Sequence, residues 1–119
     1  MRALDILAVE DDVLLRALLE DMLEDLGHVS AAAGDVTGAL GLLQDRMFDC
    51  AILDVQLNGE TSYAVATELR QRHIPFFFLT GFGNQVLPAA FADRLSVIKP
   101  YRIDDLRAAL TAAMAAEWT

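Results

Sequence analysis

The chain is poor in residues that staple a fold, stiffen it or grip polyanions. It carries one cysteine, three prolines and one tryptophan in 119 residues. The single Cys50 cannot pair within the chain, so stability must rest on a hydrophobic core, and a reducing compartment suits the sequence. Basic residues are scarce, nine Lys and Arg against eighteen Asp and Glu, which leaves a formal charge of −9. Binding to a nucleic-acid backbone rests on clustered Lys and Arg, and none exists here. No apolar run approaches the eighteen or so residues of a membrane span, and MRALDILAVEDD reaches acids too early for a signal peptide. The expectation is a cytoplasmic protein with neither nucleic acid nor membrane as partner. His28 and His73 lie in different segments, which excludes zinc-type spacing. Repeats, low-complexity stretches and Pro-, Gly- or Ser-rich linkers are also missing, so residues 1–119 read as a single domain.

What the chain does have is an alternation of short apolar runs with longer helical periods. Residues 4–9, 28–33, 50–54, 75–80 and 95–99 read as strands. Val13, Leu14, Leu18, Leu19, Met22, Leu23 and Leu26 recur at helical spacing until Gly27. A second helix starts near Val36 behind the cap residue Asp35, a third spans 62–73, and a last one spans 103–117 with Leu106, Leu110 and Met114 on one stripe. Between Gly83 and Asp93 the pattern fails and Pro88 interrupts any helix, which predicts a short or irregular fourth crossover. Strands apolar on both faces and separated by helices predict an α/β fold, a doubly wound parallel sheet with right-handed crossovers.

In such folds the ligand site lies beyond the carboxyl ends of the strands. Those ends carry Glu10-Asp11-Asp12, Asp54, Thr80-Gly81 and Lys99-Pro100. Taken singly, each has a plainer reading: acids that cap a helix, a turn acid before Asn58-Gly59, a turn hydroxyl, a solvated lysine. Brought together, the carboxylates repel one another unless a hard cation compensates them. Oxygen ligands without His or Cys favour Mg²⁺ or Mn²⁺. With Thr80 as hydroxyl donor and Lys99 as point charge, such an edge can neutralise the oxygens of a phosphoryl group in transfer.

ILAVEDD, AILDVQLNG, PFFFLTGFG and VIKPY together resemble the receiver domain of bacterial two-component response regulators, over nearly the whole chain. Within that family, DVQLNGETSY followed by IPFFFLTGFG is similar to the alphaproteobacterial single-domain FAT GUY group, with Leu79 where that group often has Ala. The resemblance implies a flavodoxin-like sheet of order 2-1-3-4-5 and a stand-alone receiver without an output domain. It implies Asp54 as phosphoacceptor, Glu10 and Asp11 as the acidic pair, Thr80 as switch hydroxyl and Lys99 as the phosphate-contacting lysine. Mg²⁺ would be held by Asp11, Asp54 and the Gln56 main-chain carbonyl, with Glu10 acting through water, and Asp12 would cap a helix. Asn58 stands where many receivers have Pro.

Most receivers carry Tyr or Phe three residues before the lysine; here that position is Ser96, so an inward-turning ring is not available. The expected switch region is therefore Thr80, Gly81, Phe82 and Tyr101, with output as an ordering or displacement of residues 81–92. The implied partners are a sensor histidine kinase or a histidine phosphotransfer protein, and a downstream protein. Catalysis is confined to phosphorylation and dephosphorylation of the chain's own Asp54. A pseudo-receiver that binds a partner without phosphate is the rival reading. A dehalogenase-like hydrolase fits less well, because Val55-Gln56 follows Asp54 where that type has DxD. A flavodoxin-type carrier fits less well too, because Glu10-Asp11-Asp12 would repel a flavin phosphate.

Overall fold

The computed structural model describes residues 2–81 and 87–115. In chain order the elements are β1 (Asp5–Val9), α1 (Val13–Asp25), β2 (Val29–Ala33), α2 (Val36–Asp45), β3 (Cys50–Asp54), β4 (Gln56–Leu57), β5 (Glu60–Thr61), α3 (Tyr63–Gln71), β6 (Phe76–Thr80), a 3₁₀ turn (Ala89–Phe91), β7 (Ser96–Ile98) and α4 (Ile103–Ala115). Five strands form one sheet in the order β2-β1-β3-β6-β7, all neighbours parallel. Counted along the sheet strands alone, this is the expected order 2-1-3-4-5. Between β1 and β3 the winding reverses, and a crevice opens there at the carboxyl ends.

Alternate residues of each strand feed opposite cores. Leu7, Val9, Leu53, Phe76 and Phe78 pack with Ala39 and Leu43 of α2 and Val65 and Leu69 of α3. Ile6, Ile52, Phe77 and Leu79 pack with Leu19 and Leu23 of α1 and Leu106 and Leu110 of α4. The triple phenylalanine run is therefore a central strand buried on both sides. Both predicted helix caps are made: Asp12 Oδ1 accepts the Leu15 N–H at 2.9 Å, and Asp35 Oδ1 accepts the Gly38 N–H at 2.7 Å.

One expectation is corrected, and two features go beyond the sequence reading. Strands and helices are shorter by one or two residues at several ends, because the outermost predicted residues turn into caps and loops rather than continue the ladder or the helix. On α1 the apolar stripe is wider than the surface that covers it: Leu19 and Leu23 are buried, whereas Val13 and Leu14 are 70% and 69% exposed. The exposed part of the stripe continues through Leu15 and Leu18, which are 41% and 47% exposed. Around Asn58-Gly59, which the sequence marks only as a turn signal after Asp54, residues 56–61 form a small antiparallel ribbon, β4 paired with β5. Its Asn58-Gly59 corner has φ of 43° and 88°, the pair of left-handed residues that a two-residue hairpin turn needs and that Asn-Gly supplies most readily. Between β6 and β7, the described part of the crossover is the 3₁₀ turn, which agrees with a short fourth helix.

Candidate functional site

β1 and β3 lie side by side with Val9 opposite Leu53, so the residues that follow them emerge at one edge. Glu10, Asp11 and Asp54 gather there, each offering a carboxylate oxygen within 4.8 Å of the others. Lys99, delivered from the end of β7, donates from Nζ to Glu10 Oε1 at 2.7 Å and to Asp54 Oδ2 at 2.9 Å. The same residue is tied to β6, since its N–H donates to the Thr80 carbonyl at 2.8 Å. Glu10, Asp54 and Thr80 are all buried, at 2%, 7% and 3% exposure. The edge thus brings together the four strand ends singled out from sequence.

The electrostatics are strained in the direction expected of a cation site. Burial pushes the Glu10 carboxyl up from 4.5 to about 7, against the opposing hydrogen bond from Lys99, and neighbouring Asp54 and Asp11 add to the rise. Burial also works against the charge on Asp11, but hydrogen bonds from Glu10 and from the Asn58 N–H outweigh it and hold that carboxyl below its ordinary range. Burial disfavours the Lys99 ammonium, yet its bonds to Glu10 and Asp54 keep it above the ordinary lysine value. Three carboxylates against one ammonium leave a deficit of positive charge that a hard divalent cation would fill. Ligand oxygens on opposite sides of Mg²⁺ lie about 4.2 Å apart. The donor set therefore fits the ion, with room for one ligand to act through water.

Gln56 opens β4 directly after Val55. The Ser62 N–H donates to the Val55 carbonyl at 3.0 Å, so the intervening Gln56 carbonyl is turned out of the ribbon ladder and free to meet a ligand. Gly81 follows Thr80 and is exposed. Tyr101 is half-buried beside Lys99, where with Leu15 and Leu18 it lines a cleft of about 420 Å³. Phe82, the remaining residue of the predicted switch region, lies outside the described residues, as does Gly83. Ser96 sits exposed in the edge strand β7. The far end of the 81–92 segment is anchored: Phe91 is buried against Tyr63, Phe76 and Phe78, and Arg70 donates to the Ala90 carbonyl.

Sequence reasoning missed three supports. Arg16 Nη1 donates to the Glu10 carbonyl at 2.9 Å and passes so close to Gly34 that a Cβ there would lie 2.5 Å from it. Glu60 Oε1 accepts the Val36 N–H at 3.3 Å, and Asp11 Oδ2 accepts the Asn58 N–H at 2.9 Å. Asn-Gly between Leu57 and Glu60 was the available signal for the ribbon.

A doubly wound sheet whose carboxyl edge holds a lysine inside an acidic cluster has the donor set of a site for a divalent cation and an anionic group. Residues 6–111 match the response regulator receiver domain family, and the chain belongs to it. It is 34% identical over 116 residues to the two-component response regulator PhoP of Pseudomonas aeruginosa, covering 92% of this chain and 51% of that protein. The chain spans about half the length, or less, of the curated relatives it matches. Among solved structures, SdrG from Sphingomonas melonis Fr1 is 40% identical with a TM-score of 0.84, over 95% of this chain and 98% of that one. The receiver domain of the sensor histidine kinase PA1611 from Pseudomonas aeruginosa has the same fold, with a TM-score of 0.82 over 96% of this chain and 99% of that one at 23% identity; that protein holds a magnesium ion in its active-site cleft. No helix among the described residues is long and apolar enough to cross a membrane.

Proposed function

We propose that Asp54 is the phosphoacceptor of a receiver that takes its phosphoryl group from a phosphohistidine on a sensor kinase or phosphotransfer protein. The observation that carries this reading is the Lys99 ammonium held 2.9 Å from Asp54 within the acidic cluster. Lys99 engages Oδ2, which leaves Oδ1 of Asp54 as the attacking atom. A bond forms from that oxygen to phosphorus, the phosphorus–nitrogen bond of the donor breaks, and the donor imidazole keeps the electron pair and takes up a proton. The product on this chain is an acyl phosphate. Asp11, Asp54 and the Gln56 carbonyl are the residues suited to hold Mg²⁺ or Mn²⁺, with Glu10 acting through water. When bound, the cation supplies the positive charge that the transferring oxygens need. Lys99 and the Thr80 hydroxyl neutralise those oxygens from the other side.

The phosphoryl oxygens draw in the Thr80 hydroxyl, Gly81 follows, and the anchored Phe91 bounds how far the change runs. Output then passes by protein contact through the segment after Thr80, with Tyr101 as a neighbouring apolar contact. The Phe78-Leu79-Thr80-Gly81 run supports a place in the FAT GUY group, and the 98% coverage of SdrG supports a receiver acting as a unit. The test is intact mass after incubation with acetyl phosphate and Mg²⁺. One phosphoryl adduct that disappears in Asp54→Asn is expected; no adduct on the wild-type chain would favour the pseudo-receiver.

A further inference from the structure

The β4–β5 ribbon follows β3 and reaches Asp11 through Asn58, and it is pinned on both sides. Its root is the continuation of β3, closed by the Ser62 N–H on the Val55 carbonyl at 3.0 Å. Its second strand is tied to α2 by Glu60, which accepts the first helical N–H, that of Val36. The corner between them therefore has little freedom: Leu57 pairs with Glu60 across it, so the Leu57 carbonyl faces the partner strand and the Asn58 N–H of the same peptide faces outward, on the same side as the Gln56 carbonyl. There it meets Asp11 Oδ2 at 2.9 Å. Asp11 is half-exposed at the start of a loop, where an untethered carboxylate samples several rotamers and loses that freedom when it binds an ion. A partner that fixes Oδ2 fixes the rotamer of the whole carboxylate, and with it the approach of Asp11 to Glu10 and Asp54.

We infer that Asn58 is a positioning residue: its main-chain N–H orients the Asp11 carboxylate, and through it sets how tightly the acidic cluster takes a divalent cation. The inference rests on the proposed metal centre and assigns the ribbon a task within it. The contact is made by the backbone, so the side chain of Asn58 is dispensable beyond its ease with positive φ. A proline at 58 lacks the donor and cannot reach that φ.

The experiment compares Mg²⁺ affinity of the unphosphorylated chain, by amide-shift titration, in four forms. These are wild type, Asn58→Gly, Asn58→Pro, and a chain with an α-hydroxy acid at position 58, which replaces the N–H by an ester oxygen and keeps the turn. Loss of a partner that orients a metal ligand weakens binding by about tenfold or more, so the ester and proline forms should fall by about that factor while Asn58→Gly stays within about twofold. Equal affinity of the ester and wild-type chains overturns the inference, and so does a loss in Asn58→Gly as large as in the ester. A wild-type chain without saturable Mg²⁺ binding overturns the metal centre itself, a pattern distinct from equal affinities. Should the ester chain not fold, amide exchange in the wild type decides: the Asn58 N–H should be protected, and free exchange there overturns the inference.

Discussion

The two ends of the parallel sheet use the same kinds of residue and balance their charge in opposite ways. At the amino end, Asp5 faces Arg46 at 2.6 Å and Asp49 faces Arg2 at 3.3 Å, so two carboxylates meet two guanidiniums. Asp49 also accepts the Asp5 N–H at 2.8 Å, and the His28 Nδ1 accepts the Leu4 N–H at 3.0 Å. These groups tie the starts of β1, β2 and β3 together. At the carboxyl end, Glu10, Asp11 and Asp54 meet the ammonium of Lys99. The contrast extends to titration. The Asp5 N–H, ahead of an opposing burial effect, holds the Asp49 carboxyl below its ordinary range, whereas burial pushes Glu10 up to about 7. Acids at a strand end are therefore no sign of a site in themselves; an unmatched set of them, buried and convergent, is.

The largest expected effect is the most direct break of this comparison. Asp54→Asn should abolish phosphoryl incorporation from acetyl phosphate while the far-ultraviolet spectrum is kept, and Asp49→Asn at the other end should leave incorporation intact. Retained labelling in the first variant, read by intact mass, would place the acceptor elsewhere.

For stability the order reverses. Asp49→Ala removes a charged partner of a backbone N–H and should cost about 1.5 kcal/mol in urea denaturation, whereas Asp54→Asn in excess chelator relieves repulsion and should not destabilise. Equal losses at both ends would mean that the carboxyl edge is no less balanced than the amino edge.

A smaller effect is expected with pH. Glu10 binds its proton more tightly folded than unfolded, so without a divalent cation its contribution is full below about 4.5 and lost as pH rises to about 7. Denaturation midpoints of wild type should fall across that window relative to those of Glu10→Gln, and Mg²⁺ should reverse the trend, because the cation takes the deprotonated form. Parallel curves for the two chains would show that Glu10 is not the group responsible.

The smallest effect belongs to His28. Burial lowers its folded value below 6.5, with the N-terminal charge assisting, so its contribution is present above 6.5 and lost as pH falls through the folded value. His28→Asn, which keeps an acceptor for the Leu4 N–H, should flatten that acid limb. An unchanged limb would point instead to the carboxylates.

Much of the fold was legible because its signals are local. The two-face apolar runs at β3 and β6, the caps Asp12 and Asp35, and the failed helical period near Pro88 each depend on neighbours within a few residues. The four strand ends were legible as candidates for the same reason, once the alternation of strand and helix put them at one edge. Val13 and Leu14 belong to the apolar period read from sequence and are exposed all the same, since periodicity states which face of a helix is apolar and not how far another element extends to cover it. The ribbon at residues 56–61 had a local signal in Asn58-Gly59, and the pairing of β4 with β5 is what the structure adds.

The sequence by itself determined the element types, their order and the residue chemistry at the carboxyl ends, because hydrophobic period, caps and turn residues act over one or two turns of chain. The tertiary structure alone decided which carboxylates are matched and which are not. Lys99 reaches Glu10 across 89 residues and Asp54 across 45, and the Asn58 N–H reaches Asp11 across 47. Charge balance and backbone hydrogen bonding between loops depend on distance in space, and that distance is set by the packing of the whole sheet.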